Sequence, residues 1–140
     1  MQIIEVKNQL VSTIALIDDE NKILIGKRPV GKVFENLWEF PGGKVKKNET
    51  VEQALIREIK EEINIDISKN CVAPLTFASD NKDRKSKILL LYVCRKWEGF
   101  ITSLLKQKIA WVKPVDLGKY KMPDANLFLN SILRNWVGNS

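Results

Sequence analysis

The sequence predicts an α/β fold, a three-layer α/β/α sandwich with a mixed central sheet. Three observations carry that prediction. Short runs rich in β-branched residues, bounded by turn residues, alternate with two stretches of helical periodicity. Residues 88–97 form an almost continuous apolar run, as expected of a strand buried on both faces at the centre of a sheet. The order strand, strand, helix, strands, helix leaves one helix for each face of that sheet. A chain of 140 residues fits one domain, 1–140, with a real core.

Residues 10–17 read as the first strand. Asp18-Asp19-Glu20-Asn21 is a turn, and residues 22–27 return as a second strand, so the pair is expected to form a hairpin. Arg28 ends it, either as a solvated edge cation or as a ligand contact. Residues 29–36 are loop-like. Leu37-Trp38-Glu39-Phe40 reads as a short strand feeding a loop at Pro41-Gly42-Gly43. Two glycines let backbone groups approach a ligand, and a free carbonyl there can bind a metal.

A helix follows. Thr50 can act as N-cap, and Gln53, three residues on, completes a capping-box pattern. Ile56, Ile59 and Ile63 fall within an arc of about 60°, and Glu58, Glu61 and Glu62 within an adjoining arc of about 100°. One stripe can anchor in a core while its neighbour presents three carboxylates. After it, residues 66–70 are polar, 72–78 suggest a strand, and 79–86 form a polar loop. Glu98-Gly99 turns the chain after the central strand, and residues 109–112 form a short strand closed by Pro114. Pro123 opens the last helix, where its missing N–H is harmless. Ala125, Phe128, Leu129, Ile132, Leu133 and Trp136 recur at helical spacing as a core stripe, and Gly138 ends the helix.

Composition narrows the function classes. Apolar residues make up 44%, and 23 basic against 17 acidic side chains give a net charge of +6. That surplus favours an anionic partner such as a nucleotide. No clustered basic helix or aromatic-studded strand is present, so no stable nucleic-acid partner is expected. Two distant cysteines and no histidine argue against the usual zinc site and against histidine acid–base chemistry. They fit two reduced thiols in a cytoplasmic protein. The N-terminus lacks a signal pattern, and no apolar run approaches membrane-spanning length.

The carboxylate stripe needs an explanation. Like charges at i,i+3 and i,i+4 weaken a helix by a few tenths of a kcal/mol each. Arg57 beside Glu61, with Glu49 reaching back to Arg57, offsets part of this. A hard divalent cation would offset the rest, since clustered oxygen ligands suit Mg²⁺. The plainer alternative is a solvated acidic helix face.

The full string decides between them. Gly43, five residues, Glu49, seven residues, Arg57-Glu58, an aliphatic, any residue, Glu61-Glu62, then Asn64 and an aliphatic resembles the Nudix box. One position departs: Asn64 stands where the family has glycine. That position ends the helix and calls for φ > 0, and Asn is the next most tolerant residue there. The resemblance extends to Leu37-Trp38-Glu39-Phe40-Pro41-Gly42-Gly43-Lys44, Trp97-Glu98-Gly99, Trp111-Val112 and Tyr120-Lys121-Met122-Pro123-Asp124-Ala125-Asn126, which look like the MutT type of that family.

The resemblance implies a Nudix-type fold. It also implies Mg²⁺-dependent hydrolysis of a nucleoside triphosphate, such as 8-oxo-dGTP, to the monophosphate and pyrophosphate, with Mn²⁺ able to replace Mg²⁺. By position, the Gly43 carbonyl and Glu58, Glu61 and Glu62 would be metal ligands. Glu61, Glu62 or a nearby base would help deprotonate the water. Glu49 and Arg57 would pair to fix loop to helix. Arg28, Phe40, Gly42, Lys44, Arg84 and Asn126 would line the nucleotide. Asn126 offers a donor and an acceptor to a purine edge, or else bonds its own helix end. A monomer is expected. The loop before the Trp-Val strand departs from the MutT type. Leu104-Leu105-Lys106-Gln107 keeps only Gln107 of a Glu-Gly-Gln run, which leaves the number of metal ions open. A neighbour such as Glu98 could substitute. The alternatives are the same chemistry on another nucleoside diphosphate derivative (a dinucleoside polyphosphate, an RNA 5′ end, a nucleotide sugar), or a nucleotide-binding module without turnover.

Overall fold

The computed structural model describes residues 7–31, 35–81 and 86–138. Arg84, expected at the nucleotide, lies outside the described residues. In chain order the elements are β1 (Asn8–Leu16), β2 (Ile23–Lys27), β3 (Trp38–Glu39), β4 (Gly42–Lys44), α1 (Val51–Ile63), β5 (Val72–Asp80), β6 (Ser86–Cys94), β7 (Ile109–Val112) and α2 (Asp124–Gly138). Short 3₁₀ turns at Lys69–Cys71 and Pro114–Lys119 precede β5 and α2.

The middle layer is two sheets. The larger has the order β4-β1-β6-β5, the smaller β3-β2-β7. β1 and β6 run parallel, from Asn8 opposite Ser86 to Leu16 opposite Cys94, while the other pairs are antiparallel. The mixed sheet is therefore present, with an antiparallel companion beside it.

Side-chain alternation along the strands builds a core on each face, as the period of two requires. Ile14, Leu16, Leu24, Tyr92 and Cys94 point to the α1 side, where they meet Leu55, Ile59 and Ile63. Ala15, Ile17, Ile23, Ile25, Leu89, Leu91 and Val93 point to the α2 side, where they meet Leu129, Leu133 and Val137.

Four expectations need correction. The hairpin is only a turn. The Asp18 carboxylate accepts from the Glu20 and Lys22 N–H groups, and a single bridge joins Ile17 to Ile23. Both edges of β1 are already taken by β4 and β6, so β2 leaves for the other sheet. The glycine loop is β4, paired with β1 through Gly42–Thr13 and Gly43–Ser12. The central strand ends at Cys94 instead of running to residue 97. In α2 the buried stripe is Ala125, Asn126, Leu129, Asn130, Leu133 and Val137, while Phe128 and Trp136 are exposed. Two asparagines take inward positions because they have partners there. The Asn126 Oδ1 accepts from Phe40 N–H at 3.4 Å, and the Asn130 Nδ2 donates to Leu117 O at 3.1 Å.

Candidate active site

α1 begins as the capping box predicts. Thr50 Oγ1 accepts from Gln53 N–H at 3.1 Å, and Gln53 Oε1 accepts from Thr50 N–H at 2.9 Å. It ends at Asn64 with φ 58° and ψ 36°, the left-handed conformation expected of the substituted box position. Its buried side is Ala54, Leu55, Ile59 and Ile63, with Ile56 partly buried.

β4 crosses above the acidic side of this helix, and both its glycines are sterically required. A Cβ on Gly42 would strike the Ser12 carbonyl, and φ there is 153°. A Cβ on Gly43 would occupy the space of the Glu58 carboxylate. Gly42 N–H donates to Glu62 Oε2 at 3.3 Å. Glu58 and Glu62 are thus gathered beneath the Gly42–Gly43 backbone. Burial, then the neighbouring Glu58 charge, push the Glu62 carboxyl up to about 8, against the pull of the Gly42 N–H. The Glu39 charge adds to the rise, and Arg28 opposes it.

Arg57 ties the turn to the helix. Its Nε and Nη2 donate to the two Glu49 oxygens at 2.8 and 2.7 Å, Nη1 to Glu58 at 2.8 Å, and Nη2 also to the Lys44 carbonyl at 3.2 Å. The Arg57 contact and the Lys46 N–H hold the Glu49 carboxyl at about 2. Glu61 lies further out, more than half exposed, with Oε2 3.4 Å from Arg57 Nη1.

From Glu62 a cleft of ≈ 540 Å³ runs toward the start of α2. Its lining includes Arg28, Phe40, Gly42, Gly43, Lys44, Glu62 and Asn126 among the residues the sequence singles out. They come from four separate stretches of chain. Glu49, in the turn before α1, and Arg57, Glu58 and Glu61, on the helix, do not line it. Asn126 does not bond its own helix end: the residue is only 6% exposed, and its Oδ1 accepts from the Phe40 N–H. Glu98 exchanges backbone hydrogen bonds with Asp66 and is absent from the cleft wall.

Sequence reasoning missed Glu39. It lines the cleft with Gln107, and its Oε2 lies 3.2 Å from Arg28 Nε. Burial raises its carboxyl, against Arg28 and a hydrogen bond from Gln107. The available signal was a carboxylate set between Trp38 and Phe40 in an otherwise apolar strand. Asp80 and Lys87, directly opposite on β5 and β6, also line the cleft and carried no sequence signal.

A hard cation fits the donors present. Among the described residues no three acidic side chains converge tightly enough to hold an ion unaided. Glu58 and Glu62 supply two carboxylates beside a backbone stretch free of side chains, and their mutual repulsion is what a divalent ion relieves. A phosphate-bearing ligand would complete the oxygen set in the manner usual for Mg²⁺.

A carboxylate-lined helix under a glycine strand, beside a cleft, is an arrangement suited to metal-assisted hydrolysis of phosphate compounds. Comparison with known proteins narrows the class. Residues 7–135 match the NUDIX domain profile. The 8-oxo-dGTP diphosphatase of Proteus vulgaris is 40% identical over 87 residues, 62% of this chain and 76% of the relative. The CTP pyrophosphohydrolase of Escherichia coli strain K12 is 30% identical over 115 residues, 81% of this chain and 82% of the relative. A structure from a study of MutT from Aliivibrio salmonicida and Vibrio cholerae superimposes with a TM-score of 0.80 at 29% identity, covering 93% of this chain and 99% of that one. The chain belongs to the Nudix family and is a hydrolase of phosphoanhydride bonds. Enzymes of this family generally use a divalent metal. No helix among the described residues is long and apolar enough to cross a membrane.

Proposed function

We propose that this chain is a Mg²⁺-dependent pyrophosphohydrolase that converts 8-oxo-dGTP to 8-oxo-dGMP and pyrophosphate, acting on the nucleotide pool. The supporting observation is the continuity of one cleft from Glu62 to Asn126. The acidic end suits a metal-bridged polyphosphate, and the amide end suits a purine edge. The likeness to 8-oxo-dGTP diphosphatases points to the same substrate.

In this reading Glu58, Glu61, Glu62 and the Gly43 carbonyl would hold the metal. When bound, Mg²⁺ neutralises phosphate charge and makes a water more acidic. The chain's own residues do the rest. Glu61 or Glu62 would orient the attacking water and take its proton. Arg57 and Glu49 keep β4 fixed over the helix. Arg28 faces the anionic substrate, Lys44 adds a cation at the phosphate end, and Asn126 presents its amide to the base, with Phe40 and Gly42 completing the wall.

The test is a kinetic panel with Mg²⁺: 8-oxo-dGTP, dGTP, dATP and CTP, with product identification. The expected outcome is a kcat/KM for 8-oxo-dGTP at least about tenfold above the others, since paired polar contacts discriminate by 1–3 kcal/mol. Equal turnover of dGTP, or a preference for CTP, would remove the substrate assignment.

A further inference from the structure

Beside the cleft, the small sheet carries a three-residue brace whose parts are distant in sequence. Gly26 of β2 lies opposite Glu39 of β3 on one side and opposite Ile109 of β7 on the other. Arg28 is two residues beyond Gly26, and Gln107 two residues before Ile109, so all four positions share one face. Gly26 has no side chain, and the Gln107 amide fills the space. A Cβ on Gly26 would lie 3.2 Å from Gln107 Cδ and 3.3 Å from its Nε2. Lodged in that gap, the Gln107 amide stands on the Glu39 side of the cleft and favours the ionised form of that carboxyl. From the strand end, Arg28 Nε approaches the same carboxylate at 3.2 Å.

Two features mark this as more than packing. A carboxylate in a site for a polyanion adds repulsion unless it is neutralised, and Glu39 is neutralised by Arg28. The buried Arg28 Nε also lacks a hydrogen bond of good alignment, so Glu39 holds Arg28 by charge and leaves the donors of the guanidinium for a ligand. With Glu58 and Glu62 nearby, an untethered Arg28 would swing onto the metal-binding carboxylates, because charge-assisted pairs form readily at such range.

We propose that Glu39 is a positioning residue, which with Gln107 tethers Arg28 against the small sheet so that its guanidinium faces the nucleotide instead of the acidic helix. Gly26 is the space that makes the tether possible. This rests on the nucleotide-hydrolase reading above.

The test is a mutant cycle of Glu39→Gln, Arg28→Gln and the double variant, with Gly26→Ala alongside. Two quantities are read: affinity for a triphosphate bridged by methylene between its α and β phosphorus atoms, and kcat and KM on the best substrate of the parent. Glu39→Gln should weaken binding and raise KM about tenfold while kcat stays within about threefold. The double variant should be no weaker than Arg28→Gln alone, because Glu39 acts through Arg28. Gly26→Ala displaces Gln107 without altering either partner, and should shift KM in the same direction by less. Unchanged affinity in Glu39→Gln, multiplicative losses in the double variant, or a fall in kcat at constant KM would overturn the proposal. If the parent prefers an undamaged nucleotide, the substrate assignment falls, and the cycle run on that nucleotide still decides the role of Glu39. If the parent binds no nucleotide, both fall.

Discussion

Glu62 is the residue on which opposed forces meet. It is pushed toward neutrality by burial and by Glu58, and drawn toward ionisation only by a backbone N–H and a distant guanidinium. Such a group destabilises the metal-free fold and rewards a cation. In Glu62→Gln the metal-free protein should therefore melt at the same temperature as the parent or higher. The parent alone should gain from Mg²⁺, by about 2.7 kcal/mol at a concentration 100 times Kd. Thermal scans with and without Mg²⁺ measure both, and equal Mg²⁺ gains in the two proteins would rule this out. Glu49 works in the opposite sense. Its folded carboxyl sits near 2 against an ordinary value of 4.5. Its contribution is complete above pH 4.5 and is lost as pH falls toward 2. The parent should lose thermal stability across that window more steeply than Glu49→Gln, and parallel profiles would contradict the assignment.

At the scale of elements, α1 shows how a departure from a family pattern can be read physically. Asn64 holds φ at 58°, where a Cβ-bearing residue without a short polar group is strained. Asn64→Ala should cost about 1–2 kcal/mol in urea unfolding, while Asn64→Gly should match or slightly exceed the parent. If alanine and glycine behave alike, the cap is not the reason for that residue. Both ends of α1 were legible because capping is local chemistry. β4 was not legible as a strand. Two glycines and a lysine carry no strand preference, and pairing with Val11, Ser12 and Thr13 of β1 extends them. The inward face of α2 was misjudged for a related reason. Periodicity ranks Phe128 and Trp136 as core, yet tertiary hydrogen bonds to Phe40 and Leu117 turn Asn126 and Asn130 inward instead.

Across the whole molecule, the layers were legible and the partition of strands was not. Near-continuous apolar runs announce strands with two buried faces, and two amphipathic helices announce what covers them. Nothing local tells β2 to abandon β1 for β7, since that choice follows from β4 and β6 occupying both edges of β1. The same holds for the site. Its acidic half is one contiguous motif and could be read directly. Its other walls, Glu39 with Gln107 and Asp80 with Lys87, exist only through strand pairing. The cleft also joins the middle of the chain to its last helix, with Glu62 at one end and Asn126 at the other. On the proposed reading, bond breaking and base choice are written in separate segments. A descendant could then recode which base it accepts by altering α2 and the strand ends facing it, and inherit the hydrolytic apparatus untouched.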